Sequence, residues 1–138
     1  MSEQQNVELV KKGYDAFGRG DIDGLLALFD EQIEWTTPGP LDLPSAGRRH
    51  GHREVADFFG VLNDLFEFQR FEPKTFVAQG DVVVVLGEDT VRIKAARSVH
   101  DFEWAHVFQV RNGKVATFRE YGDVTPVVLA LRAAREAV

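Results

Sequence analysis

The chain reads as an α+β protein: N-terminal helices followed by a curved antiparallel β-sheet, with a C-terminal helix. Two observations predict helices followed by sheet. Apolar residues recur at helical spacing over 3–18 and 52–66, and after Phe68 the period changes to two. The breaks fall where such an order needs them, at Gly18/Gly20, Pro38-Gly39-Pro40, Gly80-Asp81 and Asn112-Gly113. No repeat, low-complexity stretch or linker interrupts the chain, so 1–138 is expected to be one domain.

The elements follow in order. In 3–18, Val7, Leu9, Val10, Tyr14 and Phe17 mark one face, with Glu and Lys between them. Asp21 suits the N-cap of a short helix over Ile22–Phe29. Ile33–Thr37 alternates as a strand before Pro38, and Leu41–Gly51 is expected to be a loop. His52–Phe66 is a third helix, with Val55, Phe58, Phe59, Leu62, Leu65 and Phe66 on its apolar side. Phe68–Ala78 is a strand bent near Pro73. Val82–Leu86, an unbroken apolar run, predicts a strand buried on both faces that continues to about Lys94. Val99–Val110 and Lys114–Tyr121 form a hairpin, and Val124–Ala137 a last helix with Pro126 in its first turn.

A chain of 138 residues buries about two thirds of its unfolded surface and needs no metal or disulfide to fold. It has no cysteine, which excludes disulfides, thiolate metal sites and cysteine nucleophiles and suits a cytoplasmic location. A net charge of −6 argues against nucleic-acid or anionic-membrane partners. No segment approaches the ~20 apolar residues of a membrane span. Eleven Phe, two Trp and two Tyr are a large aromatic load, suited to a core or a pocket.

The hairpin carries the chemistry. His106 lies between Trp104 and Phe108 on one arm, and Glu120 lies on the other. A two-residue loop at Asn112-Gly113 pairs Arg111 with Lys114, which sets His106 opposite Arg119 and sends Glu120 to the other face. A three-residue loop closed by Gly113 pairs Val110 with Lys114 and makes His106 and Glu120 diagonal neighbours on one face. The second register is favoured because it gathers Trp104, His106, Phe108, Phe118 and Glu120 on one side. A carboxylate among aromatics is desolvated and drawn toward neutrality, as acid/base work on carbon requires. The same pair, mutually satisfied, would equally serve as a buried structural contact.

The segments GRGDIDGLLALFDEQIEWTTP and HVFQVRNGKVATFREYGD resemble the NTF2-like superfamily, and within it the SnoaL-like polyketide cyclases and ketosteroid-isomerase-like proteins. The resemblance spans nearly the whole chain. It implies a cone with a deep apolar pocket, a small-molecule ligand and a homodimer formed through the outer sheet face. It also implies a catalytic His106–Glu120 pair inside the pocket, which supports the second register. Tyr14 then becomes a pocket-rim hydroxyl, and Trp35, Thr37, Phe58, Leu62, Trp104, Phe108 and Phe118 contact the ligand. Apolar residues such as Trp35, Phe58, Leu62, Phe66 and Val83 are otherwise simply core.

The steroid isomerases carry an Asp base before the Pro after the first strand. Thr37 stands there, and threonine is not a base at neutral pH, so that chemistry is not expected. Asp42 is a nearby carboxylate expected to be solvated. An Arg119–Asp123 arrangement of epoxide-hydrolase type fails because Arg119 faces away from Glu120. His50 and His52 are surrounded by Arg48, Arg49 and Arg53, which would repel a metal ion; anion contact or simple solvation suits them better. His100 is a surface residue or sits at the pocket mouth. No nucleotide, metalloprotease or serine-nucleophile motif is present, so no cofactor and no metal are expected. Cofactor-free isomerase, cyclase or hydrolase chemistry on an apolar carbonyl or polyketide-like ligand, non-catalytic ligand binding, and a dimerisation module with a self-filled pocket all remain open.

Overall fold

A computed structural model describes residues 1–137. The element order is α1 (Glu3–Gly18), α2 (Ile22–Leu26), β1 (Phe29–Thr37), β2 (Gly47–His50), α3 (Gly51–Leu65), β3 (Phe66–Gln79), β4 (Val82–Ile93), β5 (Ser98–Arg111), β6 (Lys114–Gly122) and α4 (Thr125–Glu136). One six-stranded sheet runs β2-β1-β6-β5-β4-β3. The strands β3 to β6 form an antiparallel meander, and β1 pairs parallel to β6. The result is the α+β cone expected from the sequence, with α1 and α3 packed in the curve of the sheet.

Local chemistry explains the element ends. Ser2 and Gln5 form a reciprocal capping box at the start of α1. Glu3 accepts the Gly80 N–H at 2.7 Å, and buried Asn6 donates to the Gly80 carbonyl at 3.3 Å, which ties α1 to the β3–β4 turn. The Asp21 carboxylate caps α2 by accepting the Gly24 N–H. Strand β3 carries irregularities at Phe68/Arg70 and Pro73/Thr75, where the curvature concentrates.

Several expectations are corrected. The second helix stops at Leu26, and Phe29 already belongs to β1, because its ring is buried against Trp35 at 5.4 Å. Residues 47–50, expected in a loop, form edge strand β2, in which Arg48 pairs with Thr36 and His50 with Glu34. Phe66 begins β3 instead of ending α3. Val82–Leu86 is not buried on both faces. Val83 and Val85 are fully buried, whereas Val82 and Leu86 look outward and are exposed.

The hairpin turn is also corrected. Its loop has two residues, Asn112 (φ 52°) and Gly113 (φ 74°), both left-handed as a type I′ turn requires. Arg111 pairs with Lys114 and Val110 with Val115. Ala116 is then an extra residue, and pairing resumes with Gln109 opposite Thr117. Val115 and Ala116 are buried in succession, which breaks the alternation. Beyond this bulge Phe108 faces Phe118, and His106 faces Glu120 directly rather than diagonally.

Candidate functional site

The inward positions of the sheet line an apolar cavity of about 150 Å³. Helix α1 contributes Leu9, Val10, Tyr14 and Phe17, and α3 contributes Phe58, Phe59 and Leu62. At the end where β6 runs out, Leu43 and Ser45 of the loop and Val127 of α4 complete the lining. All ten residues proposed from the sequence, Tyr14, Trp35, Thr37, Phe58, Leu62, Trp104, His106, Phe108, Phe118 and Glu120, border this cavity. Val83 does not; it is core.

His106 sits at the centre of a hydrogen-bonded chain. Its Nε2 is 3.0 Å from Glu120 Oε1, and its Nδ1 is 2.8 Å from the Tyr14 hydroxyl. Tyr14 is therefore not a rim hydroxyl: its ring lies between the cavity and a second opening bounded by α1, α3 and β3, and its oxygen is turned onto the histidine. Burial pushes the His106 imidazole below its ordinary pKa, against the pull of Glu120. Burial, with the charge of Glu120 second, pushes the Tyr14 phenol upward. A neutral imidazole beside a protonated phenol fixes the polarity of the chain. The Tyr14 O–H donates to Nδ1, and Nε2–H donates to Glu120.

Aromatic stacking holds these groups. The Trp104 and His106 rings stack at 3.8 Å and 11°. Phe71 lies on Trp104 at 5.2 Å, and Trp35 stacks on its cross-strand partner Phe118 at 3.8 Å. The Trp104 indole lies across Gly87, where a Cβ would stand 2.3 Å from its Cη2. Glycine is required there by that close approach.

A second carboxylate escaped the sequence reading. Asp89 on β4 is 8 % exposed and borders the cavity. Burial first and the charge of Glu120 second raise its pKa to about 7; Asp101 adds to the rise, while the Trp104 indole and Arg70 oppose it. Asp89 Oδ1 and Trp104 Nε1 have no well-formed hydrogen bond, although the indole N–H is close enough to the carboxyl to act on it. The signal was the alternation Val83, Val85, Gly87, Asp89, Val91, which puts Asp89 on the inward parity of β4.

The remaining candidates are otherwise engaged. The Thr37 hydroxyl donates to the Ser45 carbonyl. Asp42 is exposed and clasped by Arg132 at 2.8 Å and Arg135 at 3.0 Å, which hold its pKa at about 2. Arg119 points away from Glu120 and stacks over Tyr121 at 5.3 Å. Both His50 nitrogens are taken, by Glu34 and Gln32, and His52 bonds the Phe29 carbonyl. His100 contacts Ser98 and lies outside the cavity lining. Among the described residues no group of three or more His, Cys, Asp or Glu could hold a metal ion, and no helix is long and apolar enough to cross a membrane.

Comparison with known families decides the lineage. The SnoaL-like domain matches residues 10–118. The chain belongs to the SnoaL-like family. An NTF2-like protein from Burkholderia xenovorans is 41 % identical, with 97 % of this chain and 98 % of that one covered and a TM-score of 0.83. An NTF2-like protein of unknown function from Burkholderia pseudomallei is 30 % identical, with 94 % and 98 % covered and a TM-score of 0.85. TerC, co-crystallised with polyporic acid, is 24 % identical, with 93 % and 98 % covered and a TM-score of 0.81; at that identity the likeness concerns the fold alone. No protein among the curated ones matches the chain.

Proposed function

We propose that this SnoaL-like protein, as one domain over 1–138, binds a small apolar carbonyl compound and moves a proton on it without a cofactor. The observation that carries this reading is the Tyr14–His106–Glu120 chain in the wall of an apolar cavity. A cavity of about 150 Å³ is the size that holds one benzene ring in a protein core. That accommodates a single-ring or short polyketide-like ligand.

In this reading Glu120, whose side chain is 29 % exposed, takes or returns a proton on a carbon next to the carbonyl. His106 holds Glu120 through Nε2–H, and Tyr14 fixes the histidine tautomer through Nδ1. Both are positioning residues. Thr37, committed to Ser45, and Asp42, committed to α4, supply no base.

Native mass spectrometry of the purified protein should show a co-purified ring compound, whose turnover is then assayed. Glu120→Gln should abolish turnover while retaining affinity for that ligand. Unchanged turnover would reject the acid/base role and leave the non-catalytic binding reading.

A second reading concerns assembly in the cytoplasm. The outer sheet face exposes Val77, Leu86 and Tyr121, at 53 %, 47 % and 52 %. Leu86 and Tyr121 both flank Ala105, which makes a continuous apolar strip suited to a homodimer. Leu86→Glu should convert a dimer to a monomer in sedimentation; a wild-type monomer at high concentration would reject it.

A further inference from the structure

The geometry points to a ligand-oxygen subsite made by Asp89 and the indole N–H of Trp104, which recognises a ring bearing a carbonyl, enol or phenol oxygen. The inference rests on the cavity being a ligand site, as proposed above, and adds which atom of the ligand is read and by what.

Four observations converge on it. Asp89 and Trp104 are both more than nine-tenths buried, at 8 % and 7 % exposure, and both border the cavity. The strand register places them on one face as diagonal neighbours, with Asp89 opposite Phe102 and Gly87 opposite Trp104. Asp89 Oδ1 and Trp104 Nε1 each lack a well-formed hydrogen bond, although the indole N–H lies near enough to the Asp89 carboxyl to lower its pKa. A buried polar group without a well-formed hydrogen bond is costly, and here a donor and an acceptor that engage each other only weakly both gain from a ligand oxygen. Finally, the indole is fixed in place. It packs against both Phe71 and His106, and Gly87 leaves the space beneath it.

These groups complement one kind of atom. Trp104 Nε1 can only donate. Asp89, raised toward neutral pH by its surroundings, can donate as the acid or accept as the carboxylate. A carbonyl oxygen accepts from both. An enol or phenol hydroxyl accepts from Trp104 and donates to Asp89. Both faces of a keto–enol pair are thus matched without moving a side chain.

The subsite also completes the proton balance of the proposed chemistry. Glu120 takes the proton from the α-carbon, and the C–H electron pair forms the new C=C bond. The carbonyl π pair takes the proton of Asp89, which is left as a carboxylate. Glu120 then returns its proton to a different carbon of the enol, and the enol O–H proton goes back to Asp89. This leaves Glu120 a carboxylate and Asp89 an acid and delivers a carbonyl isomer.

The test uses the full chain and two rings that differ by one oxygen, benzene and phenol, with binding followed by NMR titration. An apolar cavity alone favours benzene, because phenol must shed water from its hydroxyl. The subsite predicts the opposite order, with phenol bound about tenfold more tightly by the wild-type protein. Trp104→Phe keeps the stacked ring and removes only the donor, and Asp89→Leu removes the carboxyl. Each should erase most of the phenol preference. Trp104→Phe carries the test where Asp89→Leu does not fold. Equal or tighter benzene binding by the wild type overturns the subsite while leaving the cavity as a ligand site. A phenol preference unchanged in the variants also overturns it. Binding of neither ring overturns both the subsite and the pocket on which it rests.

Discussion

His106 and Glu120 face each other directly across β5 and β6, although the two-residue turn that joins these strands would by itself place them on opposite faces. The extra residue Ala116 reconciles the two. Deleting Ala116 should restore simple alternation and turn Phe118 and Glu120 outward. Because Phe118 is stacked on Trp35, the expected loss of stability is about 3–5 kcal/mol, the usual cost of removing a buried Phe. Urea unfolding that gave a value within about 1 kcal/mol of the wild type would contradict this register.

Tyr14→Phe should leave the Nδ1 lone pair of His106 buried and unpaired. The expected cost is about 1–3 kcal/mol in chemical denaturation. In the wild-type protein, nitrogen-15 NMR should find the imidazole neutral with its proton on Nε2. A proton on Nδ1 would reverse the polarity assigned to the chain.

Asp89 imposes a pH dependence. Its folded-state pKa lies above its unfolded value, about 7 against 3.8, so the folded protein holds the extra proton in that window. The stability associated with the protonated form is complete below about pH 4 and is lost as the pH rises toward 7, with a total on the order of 4 kcal/mol. Asp89→Asn should flatten this slope. Parallel stability–pH curves for the two proteins between pH 4 and 7 would refute it.

Gly87→Ala should force the Trp104 indole off its seat, since a Cβ there meets the ring and also the Glu72 carbonyl at 2.7 Å. Overpacking of this kind costs about 1–3 kcal/mol. A variant as stable as the wild type, with an unaltered near-ultraviolet circular dichroism spectrum, would show that the ring has room to spare.

Asp42 holds α4 against the loop that borders the cavity, through Arg132 and Arg135. Its pKa is lowered from 3.8 to about 2, so the contact operates above about pH 4 and fades as the pH falls toward 2. Asp42→Asn, or molar salt, should speed amide hydrogen exchange in α4 while leaving β4 and β5 unchanged. Unchanged exchange in α4 would show that its apolar face alone, through Val127, Val128 and Leu131, secures it.

The sequence exposed the site unevenly, for physical reasons. Helical phase placed Tyr14, Phe58 and Leu62 inward, and strand alternation placed Trp104, His106 and Phe108. The correct facing of Glu120 was reached through the wrong loop, because a bulge adds one residue as silently as a longer turn does. The consecutive buried pair Val115-Ala116 was its trace. Asp89 was overlooked because the valine run before it suggested a strand buried on both faces, which hid the parity that sets an acid indoors. Edge strand β2 was missed because Gly47–His50 is polar and mostly exposed, like a loop.

The parallel pairing of β1 with β6 has a consequence for how the chain is made. Strands β3 to β6 can zip together through successive hairpins, each with its neighbour close at hand. Strand β1 is synthesised early, yet its partner arrives some eighty residues later, as the interval from Thr36 to Arg119 shows. Until then only short β2 can cover one of its edges, and the ring of Trp35 has no Phe118 to lie on. The wall that Trp35 and Thr37 give the cavity is thus among the last parts to close, so a nascent chain stalled before β6 is the form most exposed to aggregation.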